Sequence, residues 1–410
     1  MNPNPTRAHG DRPPRVLALR PEVGAQPDAV ASSLLELLDR LLTVGAVESA
    51  EIWTMHGKGK PATDVEVREL GARLPKRVRA SRAASQVAFA FLTARRLRRE
   101  AKHFDVVITV DSPTGAAYLG RLAKTCNKSL TTIAWVMDLH YAEPLGPGRA
   151  AAVEARLRHT IDLAAVERAD EVVTLGSCMI DRLRKEGLTR ALTEIPIWGS
   201  TIASSSVLRA RDCEIAAALR KNWGLYDRFV VLYSGHAGHR HDLHTVVQAA
   251  AASQETEPDV VYLVVGGGEK FVEARIEAET LQLTNLVFRA PIARDDVAAL
   301  LHMADVHLAS LNVSSLGTCV PSKAYSAMAA GKPLIFVGPG TSQVALDVAA
   351  NGAGVVVEPG DWPRLLTAVR QLQDSDVRLA CASRAELFQI EHRSLAAATH
   401  AWTELLVRLG

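Results

Sequence analysis

The sequence predicts an α/β protein of two doubly wound parallel-sheet domains, and three observations carry that expectation. Short β-branched apolar runs alternate with helical stretches, a pattern that needs crossover helices on both faces of a parallel sheet. The runs fall into two series of six, one on either side of Trp198 to Ser206, where Gly and Ser appear and no apolar period is evident. The length of 410 residues agrees, because a domain typically takes roughly 100 to 200 residues and each half can then bury a substantial core.

Before the first strand, residues 1–14 are polar and rich in Pro and Arg; lacking an apolar centre, they read as a flexible tail and not as a secretory signal. The first series comprises Val16 to Leu19, Ile52 to Met55, Val106 to Val110, Thr131 to Val136, Val172 to Leu175 and Glu194 to Ile197, which gives an N-terminal domain over 15–199. The second comprises Phe229 to Tyr233, Val260 to Val265, Leu286 to Phe288, Val306 to Ala309, Pro333 to Val337 and Val355 to Glu358, within a C-terminal domain over 200–385. From Arg384 to Leu409, apolar residues from Leu387 and Ile390 through Trp402 to Leu406 repeat at helical spacing. Residues 386–410 are therefore expected to form a helix that packs back on the first domain. Two such domains leave a cleft between their sheet edges, and ligands of open α/β sheets sit beyond the carboxyl ends of the strands. The reactive residues should follow strands.

Composition narrows the function. The chain is 48% apolar, 22% charged and 5% aromatic, with 47 basic and 45 acidic side chains and a net charge of +2. That balance argues against a dedicated nucleic-acid binder, whose phosphate contacts need a basic excess. Cys126, Cys178, Cys213, Cys319 and Cys381 are too scattered for a zinc site or a disulfide framework, and they suit a reducing, cytoplasmic setting. No run approaches the ~20 apolar residues of a spanning helix. One segment is locally basic: from Lys76 to Lys102, nine basic residues accompany a single acid, Glu100, with Val87, Phe89, Phe91, Leu92 and Leu97 between them. It reads either as a solvated helix face beside a core or as a peripheral contact with anionic lipid at the inner membrane face.

Three segments of the second series carry chemistry. Ser234-Gly235-His236-Ala237-Gly238-His239-Arg240 follows the strand ending at Tyr233; its glycines let backbone approach a phosphate closely, and Arg240 adds a cation. A tight strand-to-helix turn would have the same residues. Gly266-Gly267-Gly268 ends the next strand, as a ligand floor or as turn chemistry. In Val320-Pro321-Ser322-Lys323-Ala324-Tyr325-Ser326, Pro321 suits a first helical turn, and Ser322 and Lys323 place a hydroxyl and an ammonium at the electropositive helix start. A cation is unfavourable there without an anion, so the segment points to a bound diphosphate, with a solvated surface lysine as the alternative. Asp374-Ser375-Asp376, the one Asp-x-Asp triplet, precedes the terminal helices and reads as an N-cap, so no metal–diphosphate site is expected.

Taken in order, Tyr233-Ser234-Gly235, Val264-Val265-Gly266-Gly267-Gly268, Asn285-Leu286-Val287-Phe288, Ala304-Asp305-Val306 and the Pro321-Ser322-Lys323 helix with its Ala330-Gly331-Lys332-Pro333 turn form a set, completed by Gly352-Ala353-Gly354 and Glu358-Pro359-Gly360-Asp361. This set resembles the retaining, nucleotide-sugar-dependent glycosyltransferases of the GT-B fold, especially bacterial envelope and polysaccharide members that carry Pro-Ser-Lys. The first half of the chain is similar only in layout. The resemblance implies two Rossmann-like domains facing a cleft, no cofactor and no metal, a nucleoside-diphosphate sugar (UDP by preference) as donor, and a sugar, lipid-linked or small-molecule acceptor on the first domain.

By the same resemblance, Gly235, Gly238, Arg240 and Lys323 meet the donor diphosphate, with Arg240 and Lys323 stabilising its charge as it leaves. His236, Gly266, Gly267, Pro321 and Ser322 complete the donor site, and Arg289, Pro291 and Ile292 border the nucleobase. Many family members have two glutamates eight positions apart on this helix; Thr318 and Ser326 stand there in this chain, bringing hydroxyls without charge. In the first domain, Asp138 and His140 follow the strand through Trp135, where they would orient a sugar hydroxyl and stabilise a cationic transition state, or else lie on the surface by a helix cap. Asp111 and Ser112 face the same way, as acceptor ligands or, preferably, as a cap. Two other functions fit the same cleft: a nucleotide-sugar epimerase, which needs no acceptor, and a non-catalytic nucleotide-sugar-binding partner subunit.

Overall fold

The computed structural model describes residues 12–23, 29–55, 63–72, 74–75, 82–110, 117–139, 149–199 and 210–410. The chain forms two compact units, Met1–Ile195 with Ala398–Gly410, and Pro196–Ala397.

In the first unit the β-branched runs pair in parallel. The strands β1 (Arg15–Leu19), β2 (Ser49–Thr54), β3 (Glu66–Glu69), β4 (Val106–Val110), β5 (Thr131–Val136), β6 (Glu171–Thr174) and β7 (Leu192–Glu194) form one sheet in the order β3-β2-β1-β4-β5-β6-β7. Every residue of β4 is buried, which is why its run is continuously apolar and does not alternate. β3 lies outside the expected six strands. Its Glu-Val-Arg-Glu run is short and charged, as suits an edge strand with one ladder open to water. Arg68 ties it inward to Glu51 at 2.7 Å and Glu100 at 3.0 Å.

The strand expected at Glu194 to Ile197 is displaced: Ile195 and Ile197 are buried, but the ladder ends at Glu194, and Pro196 has no N–H with which to extend it. Residues 12–14 are not a loose tail. Arg12 donates to Glu48 at 2.5 Å and to Asp105 at 3.2 Å, and the Pro14 carbonyl accepts from the Glu48 N–H.

The second unit repeats the plan with β8 (Phe229–His236), β9 (Val260–Gly267), β10 (Leu286–Arg289), β11 (Val306–Ser310), β12 (Leu334–Val337) and β13 (Gly354–Val357), all parallel, in the order β10-β9-β8-β11-β12-β13. Alternate residues of β8 feed opposite faces. Val231 and Tyr233 pack with Val246, Ala250 and Leu365, whereas Val230 and Leu232 pack with Leu225 and Leu300.

The C-terminal segment is two helices, Ser375–His392 and Leu395–Leu409, where one was expected. Ser394 Oγ accepts from the Ala397 N–H at 3.1 Å, a capping bond that opens a new helix while the apolar period runs on through the break. The first of the pair is capped by Asp374, whose Oδ1 accepts from the Asp376 and Val377 N–H groups at 2.9 and 3.1 Å. It stays with the second unit. From Ala398 the chain belongs to the first, where Trp402 meets Trp135 edge-on at 5.1 Å between ring centroids. The divisions thus fall after Ile195 and Ala397 in place of residues 199 and 385.

Candidate functional site

β8 is flanked by β9 and β11, and the chain runs outward from it in both directions, so the space beyond the carboxyl ends of β8 and β11 is the topological switch point of the second sheet. β8 and β9 stay in register to Gly235 opposite Gly266 and His236 opposite Gly267. That closeness requires glycine at 266, where φ is +149° and a Cβ would stand 2.1 Å from the Gly235 carbonyl oxygen. Gly235 has φ +119°, and its missing Cβ would face Lys323 Cε and Nζ at 3.9 Å. The following loop is fixed by backbone bonds: Ala237 N–H donates to the Gly267 carbonyl at 2.7 Å, and Asn312 N–H donates to the Arg240 carbonyl at 2.8 Å. The Asn312 side-chain amide holds the His239 carbonyl at 2.5 Å.

Lys323 reaches into this point. Its residue is half-buried, but Nζ is recessed, donating to Tyr233 Oη at 2.6 Å and to the His236 carbonyl at 3.0 Å, with His241 Nε2 at 3.4 Å. The other His241 nitrogen, Nδ1, lies 2.7 Å from the Ser310 carbonyl. It must therefore carry the proton, which leaves Nε2 as an acceptor towards the ammonium. Burial, with a smaller opposing influence from Cys319, pushes Lys323 down to about 7. Burial first and the neighbouring Lys323 charge second hold His241 down to about 3, so it stays neutral. Burial drives the Tyr233 hydroxyl upward. All three acceptors around Nζ are neutral, and no carboxylate pairs with it among the described residues.

The structure brings Gly235, His236, Gly238, Gly266 and Gly267 together on this edge, with Lys323 against them. Arg240 is buried, and its charge acts on His241. The helix starts at Lys323 with Ser322 as its N-cap, so Pro321 precedes the first turn and does not sit in it. Thr318 is buried, and its hydroxyl donates to the Ser315 carbonyl at 2.8 Å. Ser326 Oγ lies 3.4 Å from the Ser322 carbonyl. Arg289, Pro291 and Ile292 follow β10, separated from β8 by β9. The Arg289 guanidinium lies over the Trp223 ring at 5.8 Å and donates to the Phe288 carbonyl, Ile292 packs against the core of Leu225, Val230 and Leu232, and Pro291 is exposed.

Asp138 is half-buried after β5 in the first unit. Asp111, Ser112 and His140 lie outside the described residues, as does 76–81 of the basic segment. Sequence reasoning missed Tyr233, His241 and Ser310. His241, next to Arg240 in a histidine-rich loop, was the one with a visible signal. Among the described residues, no group of three or more His, Cys, Asp or Glu side chains is placed to hold a metal ion, and no helix is long and apolar enough to cross a membrane. None of the five cysteines forms a disulfide.

Two parallel α/β units, with glycine loops and a recessed lysine at the switch point of the second, have the GT-B fold, and residues 216–387 match the family model of glycosyl transferases group 1. The chain is similar to such enzymes over more than that stretch. It is 27% identical over 289 residues to the putative colanic acid biosynthesis glycosyl transferase WcaI of Escherichia coli (strain K12), covering 68% of each chain. To the putative glycosyltransferase YtcC of Bacillus subtilis (strain 168) it is 28% identical over 151 residues, 34% of this chain and 33% of YtcC. Among solved structures it is similar to WaaG, a glycosyltransferase involved in lipopolysaccharide biosynthesis, with TM-score 0.69, 16% identity and coverage of 95% of this chain and 99% of that one. It is also similar to Anabaena Alr3699/HepE in complex with UDP-glucose, with TM-score 0.68, 16% identity and coverage of 96% and 99%. At that identity these two show the fold.

Proposed function

We propose that the protein moves a sugar from a nucleoside-diphosphate donor, with UDP as the carrier, to an acceptor held by the first unit, with retention at the anomeric carbon and without a metal. The observation that carries this reading is Lys323, a recessed ammonium at the switch point with no carboxylate facing it among the described residues. A diphosphate supplies the missing negative charge, and Arg240 and the backbone amides that follow β8 add to the same field. As the bond from the anomeric carbon to the diphosphate oxygen breaks, charge grows on the leaving group. Lys323 then stabilises the transition state more than the ground state, which is the condition for raising turnover. The new bond forms from the acceptor oxygen on the same face, and the acceptor proton passes to the departing diphosphate oxygen.

In this reading Arg289, Pro291 and Ile292 flank the base, and the hydroxyls of Thr318 and Ser326 take the places where charged partners stand in many relatives. For His140 and Asp138 the proposal keeps a role at the donor sugar, and for Asp111 and Ser112 a role at the acceptor. HepE was crystallised with UDP-glucose, which supports the choice of carrier. Replacing Lys323 by Ala is expected to lower turnover about 100-fold, the magnitude typical of losing one donor to a developing oxyanion. Nucleoside-diphosphate release, followed with and without a chelator, measures this. Turnover unchanged in K323A would remove Lys323 from the mechanism, and turnover lost on chelation would overturn the metal-free reading.

The helix Arg82–Glu100 supports a further part of the proposal, peripheral contact with anionic lipid. Val87 and Phe91 are 71% and 65% exposed, and Arg95, Arg98, Arg99 and Lys102 are exposed along the turns that follow. Apolar side chains ahead of a basic face match the boundary between acyl chains and acidic headgroups.

A further inference from the structure

The face of the Lys323–Ala329 helix opposite Lys323 is held by a buried polar cluster that the transfer chemistry does not use. Tyr325 Oη donates to Asp347 Oδ2 at 2.7 Å, and Gln343 Nε2 donates to Asp347 Oδ1 at 2.9 Å. The Arg393 guanidinium pairs with the same carboxylate at 2.9 Å and lies over the Tyr325 ring, 5.1 Å from its centroid. Tyr325 is 0% exposed, Arg393 5%, and Asp347 and Gln343 7% each. A buried ion pair contributes little net stability compared with apolar packing of the same volume, but its directed bonds fix one arrangement of the elements that share it.

These elements include both ends of the second unit. Arg393 sits in the break between the two terminal helices, shortly before the unit ends at Ala397. Gly199, shortly after the unit begins at Pro196, donates its N–H to the Arg393 carbonyl at 3.3 Å. Its backbone also lies so close to the site helix that a Cβ would stand 2.3 Å from the Tyr325 carbonyl oxygen and 2.7 Å from the Ser326 nitrogen. The entering and leaving segments of the chain therefore meet on the Tyr325–Ser326 peptide.

Lys323 and Tyr325, two positions apart at about 100° per residue, point to nearly opposite sides of the helix. Turning the helix at Tyr325 swings Lys323 the other way. We infer that Arg393, Asp347 and Tyr325 are positioning residues for glycosyl transfer: they clamp the site helix to the two ends of its unit and so set where the Lys323 ammonium stands. This rests on the donor reading of Lys323, and the experiment separates the two.

Isothermal titration with whichever of UDP, GDP and dTDP binds tightest is performed on the full chain, on R393K, on K323A and on the double variant, with circular dichroism to verify folding. The clamp predicts that R393K weakens binding on the order of tenfold, a coupling within the range found for residues acting as one network. It also predicts that this loss disappears in the K323A background, because the clamp acts through Lys323. An equal loss in both backgrounds means a structural role only and overturns the inference. If K323A itself binds as the parent does, the donor reading fails, and the clamp with it. Should R393K not fold, Y325F removes only the hydroxyl that bonds Asp347, and the same cycle with K323A decides.

Discussion

Lys323 has an ordinary pKa of 10.5, and burial brings it to about 7 in this fold. An anion beside it favours the ammonium and raises that value again. Above pH 7, binding a diphosphate therefore takes up a proton, and affinity should fall as the pH rises towards 9, by at most tenfold per unit. His241 is neutral throughout this window, and burial keeps the Tyr233 hydroxyl protonated. A phosphate monoester has lost its last proton by then, with a pKa of about 6. Titrations with UDP between pH 7 and 9 should show the decline in the native protein and none in K323A; a flat profile in the native protein would mean that Lys323 does not gain its proton from binding. At this scale Lys323 and its glycines were visible as candidates in the sequence, but only their meeting at the end of β8 distinguishes a ligand edge from ordinary turns and a solvated lysine. The sequence did not announce Tyr233, His241 or Ser310, since a strand tyrosine and a strand-end serine acquire a role only when β8 and β11 stand side by side.

Helix Arg82–Glu100 illustrates what an element can reveal. Its basic composition was plain, but which residues it buries was not: Phe89 and Leu97 go into the core while Val87 and Phe91 face outward. Such a face should bring the protein to vesicles of phosphatidylcholine mixed with phosphatidylglycerol and not to phosphatidylcholine alone, and added salt should release it. Flotation of the native chain and of an R95E/R98E variant checks this. Equal binding to both vesicles, or no effect of the charge reversal, would count against an electrostatic contact. The central strands were legible for the opposite reason, since burial on both faces writes a continuous apolar run. The edge strand β3 and the break at Arg393 were not, one because its charged residues suit open water, the other because the apolar period crosses it.

For the whole molecule, two repeats of strand and helix made the two-unit plan readable, but the divisions after Ile195 and Ala397 depend on packing that no local pattern contains. The helix Ser375–His392 buries Ala385 and Gln389 and leaves Leu387 and Ile390 of the expected apolar face exposed; it remains with the second unit, and Arg393 links its end to Asp347. The proposed function stands on the carboxyl edge of β8, with Lys323, as the receiver of a donor's diphosphate. A crystal structure of the protein with UDP decides this. The proposed function predicts diphosphate oxygens within hydrogen-bond distance of Lys323 Nζ and of the amides that follow β8; a diphosphate bound elsewhere, with Nζ still held only by Tyr233 and the His236 carbonyl, would contradict it.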